Sequence, residues 1–199
     1  MSQDFVYLAS GSPRRRELLQ QIGVSFRVVG MAIDEAVLPD ETPLTYVTRL
    51  AAAKALAGWE RSRDALQVPV LAADTAVVLD GRILGKPADR EDAEGMLGQL
   101  SGRTHEVLTA IALRTASGLQ TRISRSEVTF RSIAAAEVRA YWDTGEPSDK
   151  AGAYAIQGLA SKYIEKIYGC YYNVVGLPIS MVYGYLRYFT KSTELPGPL

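Results

Sequence analysis

The chain has 199 residues, 22 Lys and Arg against 22 Asp and Glu, and 47% hydrophobic residues. That length suits one domain or two interlocked lobes, and that composition excludes a disordered or collagen-like chain. The zero net charge excludes a global field drawing the chain to nucleic acid or to a membrane surface, so any anion site has to be local.

Val6–Ala9 reads as a short strand, and Ser10-Gly11-Ser12 as a tight loop before a helix opened by Pro13. Leu18, Leu19 and Ile22 share one face of that helix, and Gly23 stops it. The Ser12 hydroxyl is expected to cap it by satisfying an orphan N–H. Phe26–Val29 reads as a second strand, and Thr42-Pro43 repeats the cap-plus-proline signal before a helix reaching Arg61. Val70–Leu79 is a strand that Asp80-Gly81, a favoured type I′ pair, turns back into Arg82–Leu84. Asp89 caps a helix ending at Leu100, before Gly102. Alternation over Thr104–Arg114 and Gln120–Arg131 predicts two long antiparallel strands joined around Ser117-Gly118. Ala134–Thr144 is helical up to Gly145. After the polar turn at 146–149, Gly- and Tyr-rich strands and a last helix from Pro178 to Phe189 are expected, with a frayed tail over 191–199. Strands and helices alternate first and hairpins follow, so the expected fold is α/β with a mixed, elongated twisted sheet and two lobes around a cleft.

Several chemistries are excluded. Cys170 is the single cysteine and His105 the single histidine, so neither a disulfide nor a Cys/His zinc site is available, and both residues read as packing. A reducing, cytoplasmic setting is expected. The N-terminus lacks the basic and apolar regions of an export signal. The uncharged stretch 167–186 contains Gly169, Asn173, Gly176, Pro178 and Gly184, which suit a strand, a turn and a packed helix better than a membrane span. Gly85-Lys86-Pro87 looks like the end of a P-loop, but Asp80 stands where the first glycine belongs and Pro87 replaces the magnesium-binding hydroxyl.

Three places break the local pattern. Lys54 falls on the apolar stripe of Leu44, Val47 and Ala51, where it either snorkels to the helix edge or faces a cleft. Asp74 and Thr75 are the only polar residues in Val70–Leu79, a strand that reads as buried on both faces. A carboxylate isolated there costs on the order of several kcal/mol, so Asp74 needs a cation, donors or water nearby; a metal site or a catalytic base would supply the reason, and a strand ending early in a turn is the other reading. Ser10-Gly11-Ser12-Pro13-Arg14-Arg15-Arg16 sets hydroxyls, orphan N–H groups and guanidiniums at one helix start, a phosphate dock or a solvated basic face.

Taken in order, Ser10 to Arg15, Asp34-Glu35, Lys54, Ala73-Asp74-Thr75, Gly85-Lys86-Pro87, Ser101-Gly102 with His105, Asp149 to Gly158 and Asn173 to Pro178 resemble the Maf family of nucleoside triphosphate pyrophosphatases. The resemblance covers residues 6 to about 190. It implies a single Maf-like domain whose two-lobed α/β fold is similar to that of inosine triphosphatases. It also implies cleavage of a nucleoside triphosphate between the α- and β-phosphates with a divalent cation, Mg²⁺ or Mn²⁺. Arg14, Thr75 and Gln157 are similar to the dTTP/UTP branch, and an amide at 157 suits the acceptor–donor–acceptor edge of uracil or thymine. On this resemblance Ser10, Ser12, Arg14, Arg15, Lys54, Lys86 and Lys150 contact phosphates, Glu35 and Asp74 hold the metal, and Asp74 accepts the proton of the attacking water. A homodimer is implied as well. Two rival functions stand beside this one: a septum-formation regulator acting by protein binding, and a purine housecleaning enzyme of the inosine-triphosphatase type.

Overall fold

The computed structural model describes residues 5–62 and 68–190. The tail expected to fray at 191–199, and the first four residues of the N-terminus, lie outside the described residues.

Strand β1 (Val6–Ala9) leads through the 10–12 loop into α1 (Pro13–Gln21), then β2 (Phe26–Val28), α2 (Pro43–Arg61), β3 (Val70–Leu79), β4 (Arg82–Leu84) and α3 (Arg90–Leu100). The long hairpin β5 (Thr104–Thr115) and β6 (Gly118–Phe130) is followed by α4 (Ala135–Trp142), β7 (Ile164–Tyr168), α5 (Tyr171–Val175) and α6 (Ile179–Thr190). Asp80 and Gly81 both have positive φ, at 50° and 76°, as the type I′ turn between β3 and β4 requires. The strand expectation fails in one region. Between 146 and 163 the chain forms short 3₁₀ turns, and β7 is the only described strand after β6. Gly152, at φ 68°, turns the chain where an extended run was expected.

The strands form one mixed sheet in the order β2-β1-β3-β5-β6-β7, with β4 added to the end of β3. β1 runs parallel to both neighbours, and β3, β5, β6 and β7 pair antiparallel. Two apolar clusters cover the two faces. Val47, Ala51 and Ala55 of α2 pack on Val70, Ala72, Ala76 and Val78. Leu18 and Leu19 of α1, Leu97 of α3 and Tyr141 of α4 pack with Leu71, Ala73 and Val77 on the opposite face. Burying an aliphatic side chain stabilises by about 1.5–3 kcal/mol, so these alternating faces fix the register of β3. α2 lies close to the sheet because Gly58 faces it; a Cβ there would come within 2.9 Å of both Ala9 and Val70.

One feature of the register positions the site. β1 ends at Ala9, opposite Ala72, and β4 begins its pairing only at Val77. On its other side β3 is paired with β5 from Val70 to Val78. The stretch 73–76 therefore has a strand partner on one side only, and it contains Asp74 and Thr75.

Candidate active site

A cavity of about 840 Å³ opens at this gap. Its walls come from the 10–15 loop, the irregular segment 31–37, α2, β3, the 83–86 turn, the 149–151 turn and the end of α5. Asp74 points to the face covered by α2, and Lys54 rises from that helix to meet it, Nζ to Oδ1 2.6 Å. The same Nζ lies 2.7 Å from Glu35 Oε1. The Lys54 and Asp74 side chains are 10% and 9% exposed, whereas Glu35 is 51% exposed, so the cluster runs from the buried strand to the open cavity. Lys54 thus does not snorkel away, and β3 does not end early at Asp74; the buried carboxylate has its cation.

The electrostatics follow from that geometry. Burial pushes the Asp74 carboxyl above its ordinary value, and Lys54 and then Arg15 oppose the shift. For Glu35, burial acts upward too, but the hydrogen bond and charge of Lys54, with Lys86 beyond, leave it below the usual carboxylate value. The segment bearing Glu35 has no regular structure and is held by α2. Arg49 donates to both Glu41 oxygens at 2.6 and 2.7 Å and to the Ala36 carbonyl at 2.9 Å, and the Tyr46 hydroxyl donates to the Glu35 carbonyl at 3.1 Å.

At the start of α1 the structure departs from expectation. Ser12 occupies the N-cap position, but its hydroxyl makes no capping bond. The Ser12 N–H donates instead to Ser10 Oγ at 3.2 Å, which folds the loop back on itself. Arg14 lines the cavity. Arg15 is occupied by protein acceptors: Nε donates to the Gly176 carbonyl at 2.9 Å, one terminal nitrogen to Ala73 O at 2.8 Å and Ser10 Oγ at 3.2 Å, and the other to Thr75 Oγ1 at 3.1 Å. Lys86 and Lys150 also line the cavity, on two turns joined by the Gly152 N–H donating to the Gly85 carbonyl at 2.9 Å. Lys150 is also paired with Asp149.

Gln157 does not join this group. It is exposed and lies outside the cavity wall, although Tyr154 and Ile156 are part of that wall. Glu146 anchors its segment by accepting from Leu159 N at 3.0 Å and from the Tyr141 hydroxyl at 2.6 Å. His105 is 2% exposed beside Phe130 and Tyr154, its Nε2 2.8 Å from the Tyr154 hydroxyl, in the packing role read from the sequence. Sequence reasoning missed Tyr46, Met31 and Ile83 on the cavity wall and the buried Thr109 bonded to Thr75. Tyr46 lies on the helix of Lys54, and Thr109 is opposite Thr75 in the β3–β5 register, a pairing that only the folded sheet discloses.

Among the described residues no three His, Cys, Asp or Glu side chains converge as a metal cage. Glu35 and Asp74, meeting at one ammonium, are instead a two-carboxylate set, which matches how Mg²⁺ is commonly held, by one or two carboxylates with substrate phosphates completing the shell. No described helix is long and apolar enough to cross a membrane.

Known proteins resemble the chain over most of its length. A protein of Hahella chejuensis named dTTP/UTP pyrophosphatase is 51% identical over 172 residues, 86% of each chain. One of Cupriavidus pinatubonensis with the same name is 49% identical over 193 residues, 92% of this chain and 96% of its own. A dITP/XTP pyrophosphatase structure from Mycobacterium abscessus covers 96% of this chain and is itself 97% covered, at 17% identity and a TM-score of 0.43, a likeness too loose to carry a functional argument. The family model described as Maf-like protein matches residues 5–189, a span that takes in β1 through nearly all of α6 and every side chain placed around the cavity, and the chain belongs to that family.

Proposed function

We propose that the cavity binds a nucleoside triphosphate and that the chain hydrolyses dTTP and UTP to the nucleoside monophosphate and pyrophosphate. The observation that carries this reading is the Asp74 carboxylate, buried in a one-sided stretch of strand and bonded to Lys54, at the floor of a cavity with a basic rim. The names of relatives about half identical to this chain support the choice of substrate.

A triphosphate brings about four negative charges, and the transition state for phosphoryl transfer is stabilised chiefly by positioned cations. Arg14, Lys86 and Lys150 face it from the rim, Lys54 from the floor, and Ser10 and Ser12 belong to the loop at the α1 N-terminus. In this reading the water attacks so that the bond between the α- and β-phosphates breaks, and Asp74 accepts the water proton. Burial makes Asp74 more basic than an exposed aspartate, and Lys54 favours its ionised form against that burial. Glu35 and Asp74 would hold Mg²⁺ or Mn²⁺, which supplies charge neutralisation and a more acidic water when bound. Arg15 sits within the same charge field but spends its donors on the protein.

Pyrimidine selection by Arg14, Thr75 and Gln157 belongs to the same proposal. The Gln157 amide both donates and accepts, and it stands one residue from Ile156 of the cavity wall. A homodimer is carried over from the family resemblance, and a cytoplasmic setting from the single cysteine. The balanced charge favours a small-molecule substrate over nucleic acid.

The test is pyrophosphate release across dTTP, UTP, dCTP, dATP, GTP and ITP, with and without Mg²⁺ or Mn²⁺. The expected result is metal-dependent release greatest with dTTP and UTP. Release from none of them removes the enzyme reading, and a preference for ITP replaces the pyrimidine assignment with a purine one.

A further inference from the structure

Behind Asp74, on the face of β3 turned away from α2, a line of hydrogen bonds begins at Arg15 on the cavity wall and runs inward to a buried end at Thr109. Its guanidinium donates to Thr75 Oγ1 at 3.1 Å; the Thr75 and Thr109 hydroxyls are 2.9 Å apart; and Thr109 Oγ1 donates to the Asn173 carbonyl at 3.0 Å. A guanidinium only donates and a carbonyl only accepts, so Arg15 donates to Thr75 and Thr109 to Asn173; the Thr75 proton then goes to Thr109 at 2.9 Å in preference to its other acceptor, the Gly176 carbonyl at 3.5 Å. Such aligned chains polarise one another in a low-dielectric interior. Arg15 also donates to the carbonyls of Ala73 and Gly176. The Ala73 carbonyl is one residue past the last β1 pair, so the guanidinium takes the place of the missing strand. Gly176 presents its carbonyl from a left-handed turn at φ 118° that favours glycine.

Asp74 is therefore bracketed. Arg15 bonds the residue before it through Ala73 O and the residue after it through Thr75 Oγ1, and Thr109 ties that second bond to α5. We propose that Arg15, Thr75 and Thr109 form a positioning device that holds the unpaired stretch of β3 so that Asp74 keeps its place against Lys54. This rests on the reading of Asp74 as the proton acceptor. It gives Arg15 a part other than phosphate contact and assigns a part to Thr109, which is fully buried and does not line the cavity. Since Thr109 has no access to substrate, its loss should act on turnover and not on binding. Misplacing a reacting group by about 1 Å costs up to roughly a hundredfold.

The experiment is steady-state pyrophosphate release from dTTP with Mg²⁺ for the wild-type chain, Thr109→Val, Thr109→Ser, Thr75→Val and the Thr75→Val/Thr109→Val pair, with melting temperatures alongside. Thr109→Val should lower kcat about tenfold or more with KM within about twofold. Thr109→Ser, which keeps the hydroxyl, should restore wild-type turnover. The double variant should be no slower than Thr75→Val alone, because both changes cut one chain. A Thr109→Val enzyme with unchanged kcat and only a lower melting temperature overturns the proposal, as does one whose KM alone changes. If Thr109→Val does not fold, Arg15→Lys decides: it keeps the charge and loses the fork, so kcat should fall with KM held, and full turnover would be contrary. A wild-type chain silent on dTTP would remove the catalytic reading itself, an outcome distinct from an active enzyme indifferent to Thr109.

Discussion

Asp74 and His105 are buried ionisable groups on neighbouring strands of one sheet, 7% and 2% exposed, and the fold treats them in opposite ways. Asp74 has an ammonium at 2.6 Å, a second carboxylate across that ammonium, and a cavity in front of it. His105 has a phenol and a phenyl ring for neighbours and an Nδ1 with no partner. Burial alone depresses its pKa to about 4, so it is neutral at neutral pH. Depth alone does not mark a buried polar group as a candidate site; a charge partner together with an opening does.

Four changes break or sharpen that contrast. Asp74→Asn keeps the shape and removes the base, so kcat should fall by roughly 10²–10⁴-fold while the melting temperature stays near wild type, checked by pyrophosphate release and thermal unfolding. Lys54→Met leaves the Asp74 carboxylate without its closest cation. The acid limb of the pH–rate profile should move to higher pH, since Lys54 opposes the upward shift that burial imposes, and turnover at neutral pH should fall roughly tenfold or more.

His105 predicts a stability effect without a catalytic one. Its folded pKa of about 4 lies below the ordinary 6.5, so the unfolded chain binds the proton first and stability falls as pH drops through that window. The full loss is on the order of 3 kcal/mol by pH 4. Denaturant unfolding at pH 7 and pH 4.5 should show a smaller difference in His105→Gln than in the wild-type chain. The smallest effect is expected for Glu35→Gln. Its carboxylate is half exposed, so turnover at saturating Mg²⁺ should fall only a few-fold, by about 1 kcal/mol or less in barrier, while the Mg²⁺ concentration for half-maximal rate rises.

Much of this contrast was legible in the chain before folding. Asp74 stood out because eight apolar residues share its strand with only Thr75 for polar company, and Lys54 because it interrupts a helical stripe. His105 read as packing because it is the single histidine and has no Cys/His cluster around it in the sequence. Glu35 was reached only through resemblance, since its segment has neither period nor strand and is placed by Arg49 and Tyr46. The gap between β1 and β4 was not legible: strand ends and register across sixty residues are set by packing, not by local preference. For the same reason Thr109 was invisible, although the alternation of β5 was plain. The protein acceptors of Arg15 were not legible either, because a guanidinium at a helix start shows its partners only in the folded chain.

The proposed reaction directs water onto a nucleoside triphosphate between its α- and β-phosphates with Asp74 as proton acceptor. The measurement is product analysis of dTTP hydrolysis in ¹⁸O-labelled water with Mg²⁺, wild-type beside Asp74→Asn. The expected products are dTMP and pyrophosphate, with the label in one of those two and almost no turnover by the variant. Orthophosphate and dTDP as products, or an Asp74→Asn enzyme as fast as wild type, would contradict it.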